Sequence, residues 1–474
     1  MALDALATLV VIFYFLLITC VGVWAGRKLH FGDSRQKRTY TYRLNRSKYR
    51  KERHREEQLF LLRLFLCERK LTILLGFATV TGKMLRSIRR RSTKHCSIYL
   101  SLATWVGGGY LNAAAEVVYT SGIIWCYAPL GYAVSLLLGG GLFASKMRST
   151  DSFTMLDPFQ RRFGKWVVLL PIVPALCGEL CWSAAILTAL GTAVEVMVGF
   201  NSSTVAIVVS SFVALFYTAL GGLYSVIYTD IYQIITSAAG LWYCVPFVFR
   251  NSAVGTIKGP DADWVGSMDF GDIVVALDFF LMTALGGISW QVYFQRVLSA
   301  ATELDARVFS YLSAVGCIFL ALPPVIMGAA ATTANFTQAG YRGPFRLMDE
   351  DLHRALPYIM HLLMPRLQAV IGMLAIMTAV MSSFDSSTLS AATMITRNVY
   401  QELVRPKAGV KEIATVLRTA VVGFGGVATV MALWVSPNSV YSLWVFSSDL
   451  VYVLLFPQLL CLFYLEVIAP YLTD

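Results

Sequence analysis

Two short stretches decide the fold of this chain: Ala103-Thr-Trp-Val-Gly-Gly-Gly-Tyr110 and Gly286-Gly-Ile-Ser-Trp290. Each lies inside an apolar run and places a glycine cluster beside a tryptophan. Close packing of helices by small residues is one explanation for such a cluster. The other is an interrupted membrane helix, which is tolerated only beside a cavity or buried protein. Two clusters of the same kind favour interrupted helices.

The composition around these stretches is that of a membrane protein. The 474 residues are 57% hydrophobic and 14% charged, against about 45–50% and 25% in soluble domains, and the mean hydropathy is +0.63. These values exclude a soluble enzyme, a disordered chain, a collagen and a small disulfide scaffold. A bilayer core takes about 20 residues per helix. We predict eleven spans, near 5–26, 98–119, 124–145, 166–191, 204–222, 226–249, 272–292, 308–334, 367–393, 413–434 and 441–466.

The order of the spans predicts an inverted repeat. When the first span is set aside, the interrupted helices are the first and sixth of ten, at matching positions in two five-helix halves. This pattern is typical of transporters whose site lies where two unwound helices meet. We predict an all-α polytopic membrane protein with an inverted five-plus-five helix transporter core, two broken helices and one extra N-terminal span. The divisions are the extra span 1–27, a basic segment 28–97, the first half-repeat 98–249, an extracellular loop 250–271, the second half-repeat 272–466 and the C-terminal end 467–474.

The net charge of +11 comes from one segment. Residues 27–94 hold 21 Lys and Arg but only 5 Asp and Glu, a local balance of +16. We interpret this segment as a cytoplasmic loop that follows the positive-inside rule. Contact with anionic lipid of the bilayer is the alternative, and nucleic acid is the least supported partner.

The remaining charges predict an extracellular N-terminus. In this orientation the cytoplasmic loops hold 11 basic residues and the outside loops hold 6, as the positive-inside rule requires. Glycosylation sequons at Asn201 and Asn335 then fall outside, whereas the sequon at Asn45 falls inside. The first span has no basic region before it and no cleavage site after it, so we expect it to be retained. The cytoplasmic loops in this count are 146–165, 293–307 and 397–412, and the outside loops are 250–271 and 335–366.

Longer strings carry a family resemblance. They resemble the high-affinity choline transporter branch of the sodium/solute symporter family, closely over about 101–463 and loosely over 5–27. The resemblance implies choline uptake coupled to sodium and dependent on chloride, by alternating access, at the plasma membrane of presynaptic terminals and at vesicle membranes. The strings are ATWVGGGYLN (103–112), TMLDPFQ (154–160), GGLYSVIYTD (221–230), GGISWQVYFQRVLS (286–299) and SSDLVYVLLFPQLLC (447–461).

Choline recognition needs aromatic side chains in particular. Its quaternary ammonium has no N–H donor, so cation–π attraction, apolar contact or a carboxylate must bind it. Matching the family motifs position by position implies a cage of Trp105 and Trp290 at the helix breaks, with Tyr132 and Trp182 from neighbouring spans. Interfacial anchoring is the alternative for a membrane tryptophan, and core packing is the alternative for Tyr132 and Trp182.

A serine-rich span supplies candidate sodium ligands. Ala379, Ser382 and Ser383 have the spacing i, i+3, i+4, which places a carbonyl and two hydroxyls on one helix face. The resemblance implies that they complete a sodium site with the carbonyls of Ala103 and Val106. Close packing, or hydrogen bonding of the hydroxyls to their own helix, is the alternative.

Acidic residues inside predicted spans are functional candidates. Asp385 is either a ligand for a second ion or a residue at a solvated cytoplasmic helix end. Glu116, Glu179 and Asp278 each remain open between a structural hydrogen bond and a role in ion coupling. No residue is assigned to chloride.

Two departures from the family keep other functions open. Nothing in 32–97 resembles the short linker and glycine-rich half-helix of the family, and the chain stops after its eleventh span. The alternatives to a choline symporter are a sodium symporter for another small organic substrate and a non-transporting truncated or splice variant, either inert or assembled with full-length transporters. A homo-oligomer also stays open. We expect no enzymatic activity, because the sequence contains no nucleophile elbow, metal cluster or nucleotide loop.

Overall fold

The computed structural model describes residues 4–37, 60–62, 64–66, 107–199, 203–259, 262–434 and 440–465. Within these residues the regular structure is helical, and one isolated antiparallel bridge joins Val254 to Ala334. The α-helices, numbered here in chain order, are α1 Ala5–Lys37, α2 Gly108–Thr120, α3 Tyr127–Leu138, α4 Ala144–Ser149, α5 Asp157–Phe163, α6 Leu169–Val198, α7 Thr204–Phe249, α8 Ile273–Gly286, α9 Gln291–Ser299, α10 Glu303–Ala331, α11 Ala355–Leu363, α12 Arg366–Met394, α13 Val410–Trp434, α14 Val440–Leu454 and α15 Phe456–Tyr464. Two π-helical segments, Gly139–Phe143 and Ile395–Val404, continue α3 and α12.

Nine helical stretches among the described residues are long and apolar enough to cross a membrane, against eleven predicted spans. Three of the predicted spans account for the difference. The predicted span 98–119 lies partly outside the described residues, and its described part is the 13-residue helix α2. The predicted spans 204–222 and 226–249 form one helical stretch of 46 residues, α7.

Helix α7 is kinked at Gly222, where the backbone has φ 54° and ψ −143°. A straight helix of this length would extend about 69 Å, more than twice the bilayer core of about 30 Å. Positive φ is open to glycine because it has no Cβ. The two arms, 204–221 and 223–249, therefore correspond to the two predicted spans.

The predicted break at the second glycine cluster is present. Helix α8 ends at Gly286, a 3₁₀ turn covers Gly287–Ser289, and Trp290 is extended with φ −100° and ψ 130° before α9 begins. At the first cluster, Gly107 is extended with φ −96° and ψ 174°, and α2 begins directly after it. The residues that precede Gly107 lie outside the described ranges.

Helix α12 is central in the structure, since every residue from Ala375 to Met394 is buried. It packs most extensively against α7 and α6. A helix buried on all sides is expected to be apolar all round, yet this one carries Ser382, Ser383, Ser386 and Ser387. Buried hydroxyls need internal partners; Ser383 bonds to a carbonyl of its own helix, whereas Ser386 and Ser387 have partners on neighbouring helices.

One predicted loop is wrong. Residues 293–307 were expected to form a cytoplasmic loop, but the structure places 291–299 in α9, whose residues are all buried. Arg296 in this helix is 1% exposed, so it does not count as a cytoplasmic surface charge. Without it ten basic residues remain on the predicted inside against six outside. Basic residues on the predicted cytoplasmic side therefore still outnumber those outside.

Two further differences concern helices within predicted loops and spans. The predicted outside loop 335–366 contains the helix α11, whose inner side chains are buried. The last predicted span, 441–466, divides into α14 and α15 at Leu455, next to Pro457 at the start of α15. Proline is suited to the first turn of a helix because it has no N–H to leave unpaired.

Candidate functional site

Two of the predicted cage residues lie together at the second helix break. The ring centroids of Trp182 on α6 and Trp290 are 5.4 Å apart, with an interplanar angle of 59°. Both side chains are buried, at 6% and 5% exposure. The extended backbone at Trp290 interrupts the helix at this position. Both indoles therefore lie inside the bundle rather than at its surface.

Tyr132, a third predicted cage residue, contacts other aromatic side chains. Its ring lies 5.9 Å from that of Tyr110 and 6.2 Å from that of Trp444, the second contact at 88°. Its helix, α3, packs against the 3₁₀ turn at Gly287–Ser289. Tyr132 is therefore near the same break, as part of an aromatic group that also contains Tyr110 and Trp444. The fourth predicted cage residue, Trp105, lies outside the described residues.

The predicted sodium ligands on α12 face the first helix break. Ala379, Ser382 and Ser383 are all at most 2% exposed, and Ser383 Oγ donates to the Ala379 carbonyl over 3.3 Å. A β-carbon placed on Gly107 would lie only 2.6 Å from Ser383 Oγ. The start of α2 is therefore in direct contact with the serine face. The two other predicted ligands, Ala103 and Val106, lie outside the described residues.

Asp385 is enclosed by the kinked helix α7. It is 1% exposed, accepts a hydrogen bond from the Tyr217 hydroxyl, and accepts another from Thr218 Oγ1 over 3.4 Å. Both donors precede the kink at Gly222. The alternative of a solvated helix end does not fit this burial.

The second arm of α7 brings another carboxylate to α12. Asp230 is fully buried and lies 3.9 Å from the guanidinium of Arg296. Arg296 Nη2 donates to Ser386 Oγ over 2.6 Å, and Ser386 in turn donates to Asp230 over 3.5 Å. Asp230 also interacts with the side chain of Ser382. The predicted sodium face is thus continuous with a buried ion pair.

Glu179 joins this polar region to the tryptophan pair. Ser387 donates to its carboxylate, and Ser387 Oγ lies 2.9 Å from Ser183 Oγ. Glu179 also interacts with the indole of Trp290 and with the charge of Arg296. Its position therefore combines a structural hydrogen bond with contact to a predicted cage residue.

The other predicted residues lie away from this centre. Glu116 lines a separate cavity near the end of α2. Asp278 is exposed on α8. Asn335 is half-buried in a loop, where its Oδ1 accepts from the Gln338 N–H over 3.0 Å. Asn201 and Asn45 lie outside the described residues.

Sequence reasoning assigned no role to Asp230, Arg296, Tyr110 or Trp444. Asp230 and Arg296 stand in the strings 221–230 and 286–299 that carry the family resemblance. Tyr110 ends the first glycine stretch. The strings are a usable signal for Asp230, Arg296 and Tyr110, whereas Trp444 lies outside them; only the fold brings these residues into contact with α12 and α3.

Comparison with known proteins gives the same family for most of the chain. The model of the family "SSF: Sodium:solute symporter family" matches residues 91–468. The high-affinity choline transporter 1 of Drosophila melanogaster is 42% identical over 95% of this chain, and that of Homo sapiens is 38% identical over 98%. The chain spans 65% of the length of the fly protein and 74% of the human protein. These relatives are named as transporters, not as enzymes.

A solved structure shows the fold. A Na⁺-coupled sialic acid symporter in a substrate-bound outward-open state superposes with a TM-score of 0.70 at 17% identity, covering 96% of this chain and 87% of that one. The predicted all-α inverted-repeat transporter fold is confirmed by this match. The chain belongs to the sodium:solute symporter family.

Proposed function

We propose that this chain takes up choline in symport with sodium. The observation that carries the proposal is the contact between Trp182 and Trp290 at the unwound part of the second broken helix. A quaternary ammonium is attracted to indole faces, each worth about 0.5–2 kcal/mol. Tyr132 and Trp105 complete the proposed cage, and the names of the fly and human relatives support choline as its substrate.

Sodium is proposed as the driving ion because the chemistry of α12 suits it. Ala379, Ser382 and Ser383 supply oxygen atoms on a buried face against Gly107. Freed carbonyls and hydroxyls near unwound helices are the usual cation ligands in transporters of this architecture. The proposed site also includes the carbonyls of Ala103 and Val106, with Asp385 nearby for a second ion.

The same proposal includes alternating access and dependence on chloride. It places the chain at the plasma membrane of presynaptic terminals and at vesicle membranes, with an extracellular N-terminus and glycosylation at Asn201 and Asn335. These features rest on the family resemblance and on the charge bias of the loops. Alternating access is further supported by the two helix breaks, since a site between such helices opens to one side at a time.

The experiment is uptake of radiolabelled choline by cells that express this chain, with sodium replaced by potassium in parallel. Trp290→Ala should raise the half-saturating choline concentration about ten-fold, in line with the loss of one aromatic face. Trp290→Phe should lie between Trp290→Ala and the original chain. Trp434→Ala is the matched control, because Trp434 is 87% exposed at the end of α13. Ser382→Ala should raise the half-saturating sodium concentration instead.

The outcomes separate the alternatives. Sodium-dependent uptake of another radiolabelled organic solute, without inhibition by unlabelled choline, would indicate a symporter for another small organic substrate. Absence of sodium-dependent uptake despite normal surface delivery would indicate a non-transporting form. Unchanged choline affinity in Trp290→Ala would show that the cage is assigned to the wrong residues.

A further inference from the structure

A second aromatic cavity lies outside the proposed cage. It has a volume of about 250 Å³ and lies between the end of α2, the start of α3, α8 and α14. In the predicted orientation these helix ends face the extracellular side. The side chains that matter for its chemistry are Glu116, Trp125, Tyr127, Phe279 and Trp444.

Glu116 is the charged group of this cavity. Its side chain is half-buried, and among the described residues no ion pair or side-chain hydrogen bond reaches its carboxylate. Asp385 and Glu179, by contrast, accept hydrogen bonds from hydroxyl groups. Holding a carboxylate in a partly dry site without a partner is costly, so a positively charged ligand would stabilise it there.

A small recess shares Ala113, Glu116 and Trp444 with the cavity. It is lined by Asn112, Glu116, His353 and Trp444, among others, and has room for about one small polar group, at 10 Å³. Asn112 is 5% exposed, and among the described residues neither its side-chain nitrogen nor its side-chain oxygen has a hydrogen-bond partner. Buried amides in native proteins are normally paired. A ligand hydroxyl in the recess would satisfy this one.

The aromatic walls select the kind of cation. Trp125 and Tyr127 lie with ring centroids 6.3 Å apart at 73°, and Phe279 and Trp444 also line the cavity. The hydroxyls of Thr120, Ser121 and Thr283 also line the cavity, but most of the large side chains around the carboxylate are aromatic. Aromatic faces with a carboxylate suit an organic ammonium.

Trp444 connects this cavity to the proposed cage. It lines both the cavity and the recess, and its ring packs on Tyr132. We propose that the cavity is an antechamber that binds an organic ammonium, with Glu116 as its counter-ion, Asn112 as the partner of a ligand hydroxyl, and Trp444 as the wall shared with the cage. Binding of an ammonium there does not require transport, but its role as an antechamber for choline rests on the proposed function.

Cys126 allows the antechamber to be tested without transport. It lines the cavity and is a free thiol. The purified full chain is treated with a small neutral methanethiosulfonate, and labelling of each cysteine is followed by mass spectrometry with increasing tetramethylammonium. Cys177, which is exposed on α6, is the internal control and should label at an unchanged rate.

We expect tetramethylammonium to slow labelling of Cys126 in the original chain and in Trp290→Ala. Glu116→Gln should raise the half-protecting concentration about ten-fold, because a nearby opposite charge is lost, and Glu116→Asp should retain protection. Absence of Cys126 labelling, absence of protection, or equal protection in Glu116→Gln would each overturn the proposal. Protection of Cys126 without any choline uptake would support the antechamber and contradict the proposed transport function. Normal choline uptake without protection of Cys126 would support transport and contradict the antechamber.

Discussion

Gly107 and Ser383 are in such close contact that no side chain fits between them. A β-carbon on Gly107 would lie 2.6 Å from Ser383 Oγ and 3.0 Å from its Cβ. Gly107 directly precedes α2, and Ser383 lies on the buried face of α12. The first glycine cluster therefore does more than interrupt a helix. Because Gly107 has no side chain, its backbone can contact the proposed sodium face of α12.

Gly107→Ala should impair sodium-dependent uptake. Forcing a methyl group into a packed contact costs about 1–3 kcal/mol, and the displaced atom is a proposed sodium ligand. We expect a half-saturating sodium concentration raised about ten-fold or more, measured by uptake at varied sodium. Gly109→Ala is the matched control, because its β-carbon would meet no atom closer than 3.9 Å. Equal effects of both substitutions would contradict a specific contact at Gly107.

Arg296→Ala should destabilise the fold. Arg296 is buried beside Asp230 at 3.9 Å, and removing one partner of a buried ion pair costs about 3–5 kcal/mol because the other charge is left alone. We expect a lower thermal unfolding temperature in detergent, measured by tryptophan fluorescence.

The double substitution Arg296→Ala with Asp230→Asn tests whether the pair is the cause. Neutralising Asp230 removes the stranded charge, so the double variant should unfold at a higher temperature than Arg296→Ala alone. Additive losses from the two substitutions would mean that Arg296 acts through Ser386 and Gln295 instead, which it also contacts.

Asn398→Ala should loosen the predicted cytoplasmic side. Asn398 is buried; its Nδ2 donates to Asp157 Oδ1 and to Gln160 Oε1, each over 2.9 Å, and its Oδ1 accepts from Thr154 over 2.8 Å. Leaving such buried polar groups without a hydrogen bond lowers the free energy of unfolding by about 1–3 kcal/mol. We expect a lower unfolding temperature than for Thr419→Ala, an exposed position on α13. Indistinguishable unfolding temperatures would show that water replaces the lost bonds.

The turn at Asp349–Arg354 should loosen in acid. Burial and the charge of Arg354 lower the pKa of His353 to about 4, against the opposing effects of Asp351 and the Glu350 backbone; Glu116 shares its recess. His353 in the folded turn therefore binds a proton less readily than a histidine in the unfolded chain, whose pKa is about 6.5. Stability due to neutral His353 is present above pH 6.5 and is lost as the pH falls towards 4.

Hydrogen exchange of this turn measures the effect, after correction for the intrinsic rate at each pH. We expect less protection at pH 5 than at pH 7.5, and no such difference in His353→Gln. Equal protection of the original chain at the two pH values would exclude His353 as the cause.

Much of the architecture was predictable because hydrophobic length and glycine placement act locally. An apolar run of about 20 residues predicts a membrane helix, because a helix pairs all its backbone polar groups internally in lipid. The second glycine cluster breaks its helix at the predicted position. The error at 293–307 has a physical cause. Arg296 was counted as a loop charge because charged residues usually face water, whereas its ion pair with Asp230 comes from a helix more than 60 residues away in the chain.

By itself the sequence determined that the chain is a helical membrane protein with two glycine-interrupted helices, because those features depend on residue type and short spacing. Only the tertiary structure decided that Trp182 contacts Trp290, that the kink at Gly222 brings both Tyr217 and Asp230 to α12, and that Glu116 lines a cavity with aromatic side chains. These are contacts between helices distant in sequence, and helical periodicity specifies which face is buried without specifying which helix covers it.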